Sequence, residues 1–158
     1  MSYTFLSHTA DLKVFVKEKN VNRAFSNSAL ALKEAICGKI KVKSKIIKKF
    51  SVRGEDFESL LYNFLEEFLF LLDAKNFLLS KAEKIKIIIN NTKLSSGGRV
   101  KGGSSASNNN SKLMLKAEVS GDKASDYKFS NEVKAITYND MLVGRKGKSF
   151  ICRFVLDV

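Results

Sequence analysis

The sequence predicts one α+β domain over residues 1–158, in which two main helices pack against a mostly antiparallel or mixed sheet of about seven or eight strands. Two segments carry apolar residues at three- and four-residue spacing, the period of a helix with one buried face. Several shorter segments alternate apolar and polar residues, as half-buried strands do. A chain of 158 residues can also enclose one core without disulfides or a structural metal.

The first elements follow from local signals. Tyr3–Leu6 and Leu12–Lys17 alternate apolar and polar residues, which predicts two short strands joined by a turn. Asn20 is suited to cap the helix that follows, and Gly38 is suited to end it. The buried stripe of this helix comprises Val21, Ala24, Phe25, Ser28, Leu32, Ala35 and Ile36.

A lysine-rich connection precedes the second helix. Its lysines recur at period two and are Lys39, Lys41, Lys43 and Lys45. We predict that they form a solvated face, with a surface for RNA or an acidic partner as the alternative. A strand over Ile46–Val52 follows, and Asp56 can cap a helix whose stripe comprises Phe57, Leu60, Leu61, Phe64, Leu65, Phe68, Leu69 and Leu72.

The second half of the chain predicts strands around an insertion. The strand segments are Phe77–Leu79 and Lys84–Ile89 on either side of a turn, Leu113–Ser120, a long or broken strand over 132–143, and Lys148–Asp157 after a hairpin turn at 144–147. In the tract 91–112, 14 of 22 residues are Gly, Ser or Asn. Burial cannot offset the ordering entropy of such a tract, so we predict a disordered insertion.

Composition excludes some classes of protein. The chain is 44% hydrophobic and 28% charged, and its longest apolar run, Phe68–Leu72, is too short to span a bilayer. The amino terminus lacks the features of a secretory signal, so we expect a cytoplasmic protein, or a nuclear one in a eukaryote. Cys37 and Cys152 belong to no metal-binding spacing and are predicted to be buried, reduced thiols. The net charge of +12 suggests a polyanionic partner such as RNA.

The candidate functional residues lie at two acidic ends of the chain, since the sequence has no recognisable nucleophile motif, P-loop or thiolate cluster. Asp11 comes directly before a strand, and Asp157 closes the last one, followed by Val158 and its carboxylate. If the sheet brings these groups together, hard oxygen ligands suit Ca²⁺ or Mg²⁺ rather than Zn²⁺. His8 could orient a carboxylate or a water molecule. The alternative is that Asp11 is a cap and that Asp157 and Val158 are plain exposed chain.

Several segments in a fixed order resemble the archease family. They are His8-Thr9-Ala10-Asp11 before an alternating strand, Ala29-Leu30-Ala31-Leu32, Gly54-Glu55-Asp56-Phe57-Glu58-Ser59-Leu60-Leu61, Glu132-Val133-Lys134-Ala135-Ile136-Thr137-Tyr138, and Val155-Leu156-Asp157-Val158. The resemblance runs from about residue 3 to residue 158, with the tract 91–112 unmatched.

The resemblance implies an accessory protein of RNA processing that activates the RtcB-type tRNA-splicing ligase. Such activators promote guanylylation of the ligase and its multiple turnover, have no catalytic residues of their own, and bind a divalent metal. By position, the metal ligands would be Asp11, Asp157 and Val158, and Lys134 would be a required basic residue nearby. The roles of His8, Glu55 and Asp56 stay open, although His8 reads best as a hydrogen-bonded structural residue and Asp56 as a helix cap.

Two other functions are weighed against this one. The first is a basic RNA-binding or chaperone-like module, which the net charge favours but which lacks an RNP-type aromatic strand or a GxxG loop. Weak or indirect contact with tRNA is compatible with either function. The second is a metal-dependent hydrolase, which is the least favoured because the predicted carboxylates are few.

Overall fold

The computed structural model describes residues 3–7, 11–90, 112–129 and 132–158. Within these ranges the elements are β1 (Tyr3–Ser7), β2 (Asp11–Glu18), α1 (Val21–Cys37), β3 (Ile46–Gly54), α2 (Phe57–Lys75), β4 (Phe77–Ile89), β5 (Leu113–Lys123), β6 (Ala135–Lys146) and β7 (Ser149–Asp157). A short 3-10 turn at Ala124–Asp126 follows β5. The predicted α+β class is confirmed.

The strands form two antiparallel sheets, whereas the sequence suggested one. Sheet A has the order β1-β2-β7-β6, and sheet B has the order β3-β5-β4. Each helix contacts strands of both sheets. The helices therefore join the two sheets around one core. The sequence did not predict the division into two sheets, because alternation along a strand predicts which face is buried but not which strands pair.

Both helices begin where the sequence predicts, and α1 also ends at its predicted residue, Gly38. The side chain of Asn20 accepts a hydrogen bond from the Arg23 N–H at 2.9 Å. Asp56 accepts one from the Ser59 N–H at 2.8 Å, and the Ser59 hydroxyl accepts one from the Asp56 N–H at 3.2 Å. Gly38 ends α1 with φ of 69° and donates its N–H to the Glu34 carbonyl at 2.7 Å. Asp56 is thus a helix cap, as predicted.

The core is centred on phenylalanine rings from both helices and from β3. Phe64 of α2 is fully buried. Its ring centroid lies 5.0 Å from that of Phe68, 5.9 Å from that of Phe25 and 6.1 Å from that of Phe50. These rings connect α1, α2 and sheet B, so a change at Phe64 acts on all three.

Two predictions about β4 and β5 are wrong. The expected turn between Leu79 and Lys84 is instead an irregular stretch of one continuous strand, where the pairing with β5 shifts register. β5 also runs on through Gly121 to Lys123. A Cβ atom on Gly121 would lie 2.0 Å from the Leu78 carbonyl oxygen, so glycine allows the two strands to approach closely instead of ending the strand.

The last two strands match their prediction more closely. β6 is one long strand, which is one of the two predicted forms, and its pairing with β7 shifts register between Thr137 and Leu142. Asp140 within this stretch has φ of 62°. The hairpin turn to β7 contains Gly147 with φ of 63°, and Lys146 pairs with Ser149 across it.

The predicted insertion at 91–112 lies outside the described residues except for Lys112. The Asn90 N–H donates to the Lys112 carbonyl at 2.8 Å, next to the paired residues Ile89 and Leu113. The tract therefore leaves and rejoins sheet B at one point. The lysines at 39, 41, 43 and 45 are exposed, as predicted for a solvated face, in an irregular connection.

Both cysteines are buried and free, as predicted. Burial raises the pKa of the Cys152 thiol to about 12, although a hydrogen bond with Ser28 opposes the shift. Burial also raises the pKa of Cys37, whose thiol donates to the Lys33 carbonyl at 3.2 Å. Neither thiol is a nucleophile at neutral pH.

A buried carboxylate at the end of β5 holds the lysine-rich connection in place. Asp122, only 4% exposed, accepts hydrogen bonds from the Tyr127 hydroxyl at 2.7 Å and the Lys123 N–H at 2.9 Å. The Tyr127 oxygen in turn accepts one from the Lys43 N–H at 2.9 Å. The bond from Tyr127, with smaller contributions from Lys123 and nearby lysines, lowers the pKa of Asp122.

The pH dependence of stability should reveal this carboxylate. Because the folded-state pKa lies below the ordinary value of 3.8, ionised Asp122 stabilises the fold above that pH and loses its effect as the pH falls through the folded pKa. We expect Asp122→Asn to lower the melting temperature at neutral pH, and the difference from wild type to shrink as the pH falls below the ordinary carboxyl pKa of 3.8. Circular dichroism measures both. Asp126→Asn, at an exposed carboxylate nearby, is the control, and a gap independent of pH would contradict the prediction.

Candidate metal site at the converging strand ends

The ends of three neighbouring strands, β2, β7 and β6, lie side by side at one end of sheet A, and we call this end the edge. β7 lies between β2 and β6, and it ends at Asp157 where both neighbours begin. Asp11, the first residue of β2, and Ala135, the first residue of β6, both stand directly opposite Asp157. The antiparallel register therefore brings together two residues that the chain separates by almost its whole length.

The two aspartates form a cross-strand pair. Directly opposed residues extend their side chains to the same face, with Cβ atoms about 4.5–5.5 Å apart. Asp11 is exposed and Asp157 is half-buried. Two carboxylates in this arrangement repel each other, and a cation between them would remove the repulsion.

Lys134 joins the same edge through its main chain. Its N–H donates to the Asp157 carbonyl oxygen at 2.8 Å. Its side chain is exposed and lines a cavity of about 780 Å³ together with Tyr127, Phe129 and Val133. The edge thus combines a carboxylate pair with a lysine beside a cavity.

The sequence analysis missed this cavity, because it predicted no element between the strand that ends at Ser120 and the one that begins at residue 132. The signal that could have indicated it is the pair of aromatic residues in that connection, Tyr127 and Phe129. Aromatic side chains in a polar segment usually need a surface to pack on, and both of these pack against the core.

The other candidate residues differ in position. Val158 directly follows Asp157, so its main-chain oxygen is one residue from the carboxylate pair. Its side chain is 45% exposed. His8 lies outside the described residues. Asp56 is occupied as a helix cap at the start of α2, next to the exposed Glu55. The pKa of Tyr138, in β6, is raised first by desolvation and then by the Asp56 and Glu58 carboxylates.

The donors at the strand ends fit a hard divalent cation, with some of its ligands supplied from elsewhere. Over the described ranges, no group of three or more His, Cys, Asp or Glu side chains is placed to hold a metal ion. A cation here would take two carboxylates and complete its shell with main-chain oxygens, water or a partner. Oxygen donors of this kind suit Ca²⁺ or Mg²⁺. The small number of carboxylates does not favour a two-metal hydrolase.

The family model and the similar proteins identify the same family. Residues 3–158 match the model of the Archease protein family (MTH1598/TM1083). The chain is similar to the protein archease of Pyrococcus abyssi, with 36% identity over 86% of this chain and 83% of that protein. It is also similar to the protein archease of Sulfolobus acidocaldarius, with 28% identity over 99% of this chain and 98% of that protein.

Solved structures share the fold. A Methanobacterium thermoautotrophicum protein, 1598, superposes with a TM-score of 0.72 at 24% identity, covering 99% of this chain and 98% of that one. An archease from Thermotoga maritima, described as a possible chaperone, superposes with a TM-score of 0.57 at 14% identity, and the superposition covers 97% of this chain and 94% of that one. Neither described helix combines the length and apolar character required to cross a membrane.

Proposed function

The chain belongs to the archease family, and from this membership we propose that it is an accessory protein of tRNA splicing that activates an RtcB-type RNA ligase. It promotes guanylylation of the ligase and supports multiple turnover. It acts in the cytoplasm, or in the nucleus of a eukaryote, and contributes no catalytic residue of its own.

One observation supports this proposal more than any other. Asp11 and Asp157, the two acidic residues that the family resemblance assigns as metal ligands, stand directly opposite each other in adjacent strands. The Lys134 N–H is bonded to the main chain of Asp157 at the same edge. Three residues assigned from distant segments therefore lie together at one short edge of sheet A, and residues of a single functional site must lie close together.

Each residue at this edge has a distinct role in the proposal. Asp11 and Asp157 hold a divalent cation, Ca²⁺ or Mg²⁺, through their carboxylates, and Val158 adds a main-chain oxygen. When bound, the cation supplies positive charge and open coordination positions for a phosphate or a group of the ligase. The Lys134 ammonium supplies a second positive charge that can contact a nucleotide phosphate.

Guanylylation of the cognate RtcB-type ligase tests the partner. The ligase is incubated with GTP and a divalent metal under multiple-turnover conditions, with and without the wild-type protein. We expect the protein to raise the turnover of the ligase well above that of the ligase alone. An active ligase whose guanylylation and turnover do not respond to the protein would contradict the proposal.

Binding of the cation is tested separately from the ligase. A ligand that binds the folded state stabilises it by about 2.7 kcal/mol at 100 times its Kd, which corresponds to a rise in melting temperature of about 5–10 °C for a domain of this size. Thermal unfolding with CaCl₂, MgCl₂ or EDTA measures the effect and ranks the two ions. Identical melting temperatures in all three solutions would exclude a cation at this edge.

A further inference from the structure

The outer face of sheet B concentrates basic side chains, and we call it the basic sheet face. Its central row pairs Lys49 and Lys84 with Glu118 between them, and the next row pairs Ser51 and Lys86 with Lys116 between them. The rows at either end add Lys81 and Arg53, so the basic sheet face comprises Lys49, Arg53, Lys81, Lys84, Lys86 and Lys116, all exposed. Three strands that are separate in sequence therefore contribute to one surface.

The opposite face of the same sheet is the one that the core uses. Phe50, Ala117 and Ile85 form one inner row, and these residues belong to or pack against the hydrophobic core. Since side chains alternate along each strand, burial of this row directs the lysines to solvent. Among the described residues, no element covers the basic sheet face, and its lysines are exposed on all three strands.

Acidic residues only partly neutralise this surface. Glu118 forms ion pairs with Lys84 at 3.1 Å and with Lys49 at 3.7 Å. These lysines, Lys84 first, lower the pKa of Glu118, so its carboxylate stays ionised. Glu83, at the irregular part of β4, lies at the rim. The five lysines of the face thus outnumber Glu118 and Glu83, and Glu118 orders two of these lysines without cancelling the charge of the face.

One pair on the surface opposes folding. Lys86 and Lys116 stand directly opposite each other, and both are exposed. Like charges in this position destabilise a sheet. With Lys49 and Lys84 they line a shallow depression of about 560 Å³. An anion in the depression would turn this repulsion into attraction.

We propose that the basic sheet face binds the phosphate backbone of RNA. Cores of protein interfaces are depleted in lysine and use buried aromatic anchors, whereas lysine is the most frequent residue of this face, with Ile47, Met114 and Ile88 only in its end rows, and its aromatic neighbour Phe50 packs against the core. The outer face of a sheet presents no helix for the major groove of DNA, but its lysines can contact phosphates along the wide, shallow minor groove of an RNA helix. Ser51, exposed among the lysines, can hydrogen-bond to a 2′-hydroxyl.

The test is binding of a fluorescently labelled tRNA transcript across a series of salt concentrations. We expect Lys86→Gln with Lys116→Gln to weaken binding on the order of 10-fold at about 50 mM salt, because each lysine lost removes one phosphate contact. The slope of log K against log salt should fall by about 1.4–1.8 for the two lysines. The same experiment needs no ligase, so its outcome is independent of the proposed function.

Two controls make the result specific. Lys39→Gln with Lys41→Gln removes the same charge from exposed lysines outside the basic sheet face and should leave the affinity within about twofold of wild type, because these residues contact no phosphate in the proposed complex. Lys116→Gln alone should raise the melting temperature by about 1–3 °C, because it relieves the like-charge pair. A cooperative melting transition of each double variant shows that it folds.

Three outcomes would overturn the proposal. The first is no binding of the wild-type protein to tRNA at about 50 mM salt, where phosphate contacts are strong. The second is equal weakening by the two double variants, which would indicate diffuse attraction by the net charge. The third is equal affinity for tRNA and for a DNA duplex of similar length, which would show that the face does not distinguish RNA.

Discussion

Asp157→Ala is expected to reduce stimulation of the ligase to the level of the ligase alone while the protein stays folded. The substitution removes one of two opposed carboxylates, so a divalent cation loses half of its charged ligands. The hydrogen bond from Lys134 reaches the main-chain oxygen of Asp157, which alanine retains. The strand edge should therefore keep its geometry while losing its affinity for the cation.

Guanylylation and turnover of the ligase with GTP measure the effect, and thermal unfolding with CaCl₂ or MgCl₂ measures the lost cation. Asp11→Ala should give the same two losses, because the aspartates act as a pair. Glu83→Ala, at an exposed carboxylate on β4 in sheet B, is the matched control and should stimulate like wild type. Full stimulation by Asp157→Ala would show that the carboxylate pair is not the functional site, even if the ligase is the partner.

Phe64→Ala is expected to destabilise the fold by about 3–5 kcal/mol, because it leaves a cavity among the rings of Phe25, Phe50 and Phe68. For a domain of this size that loss corresponds to a fall in melting temperature of about 6–20 °C. Chemical denaturation followed by circular dichroism gives the free energy of unfolding directly.

Phe70→Ala on the same helix is the matched control. The Phe70 side chain is 52% exposed, so its removal should change the free energy of unfolding by no more than about 0.5 kcal/mol. The comparison holds residue type and helix constant and varies burial. Similar losses at Phe64 and Phe70 would contradict the assignment of the core.

The family resemblance anticipated the candidate site better than spacing alone did. From the residues themselves, Asp11 could have been a cap and Asp157 an exposed chain end. What made them a candidate pair in the structure is the antiparallel pairing of β2 with β7, which sets Asp11 opposite Asp157. The metal-binding roles of Asp11, Asp157 and Val158 and the role of Lys134 remain predictions, and His8 is outside the described residues.

Local sequence determined the helices and most strand segments of this protein. Asn20, Asp56 and Gly38 specify helix ends through hydrogen bonds to residues three or four positions away, and apolar periodicity specifies the buried face of each helix. Such interactions are contained within a few residues, which is why the sequence was enough to predict them. The α+β class followed from counting these elements.

Tertiary structure alone decided how the strands pair. The division into two sheets, the continuous β4 and the close approach at Gly121 all depend on contacts between distant segments. The same pairing gathers the basic sheet face from β3, β4 and β5, whereas the lysine-rich connection that the sequence singled out is only a link into β3. Alternation tells which side chains share a face of one strand, but the neighbour of that strand is chosen by the packing of the whole core.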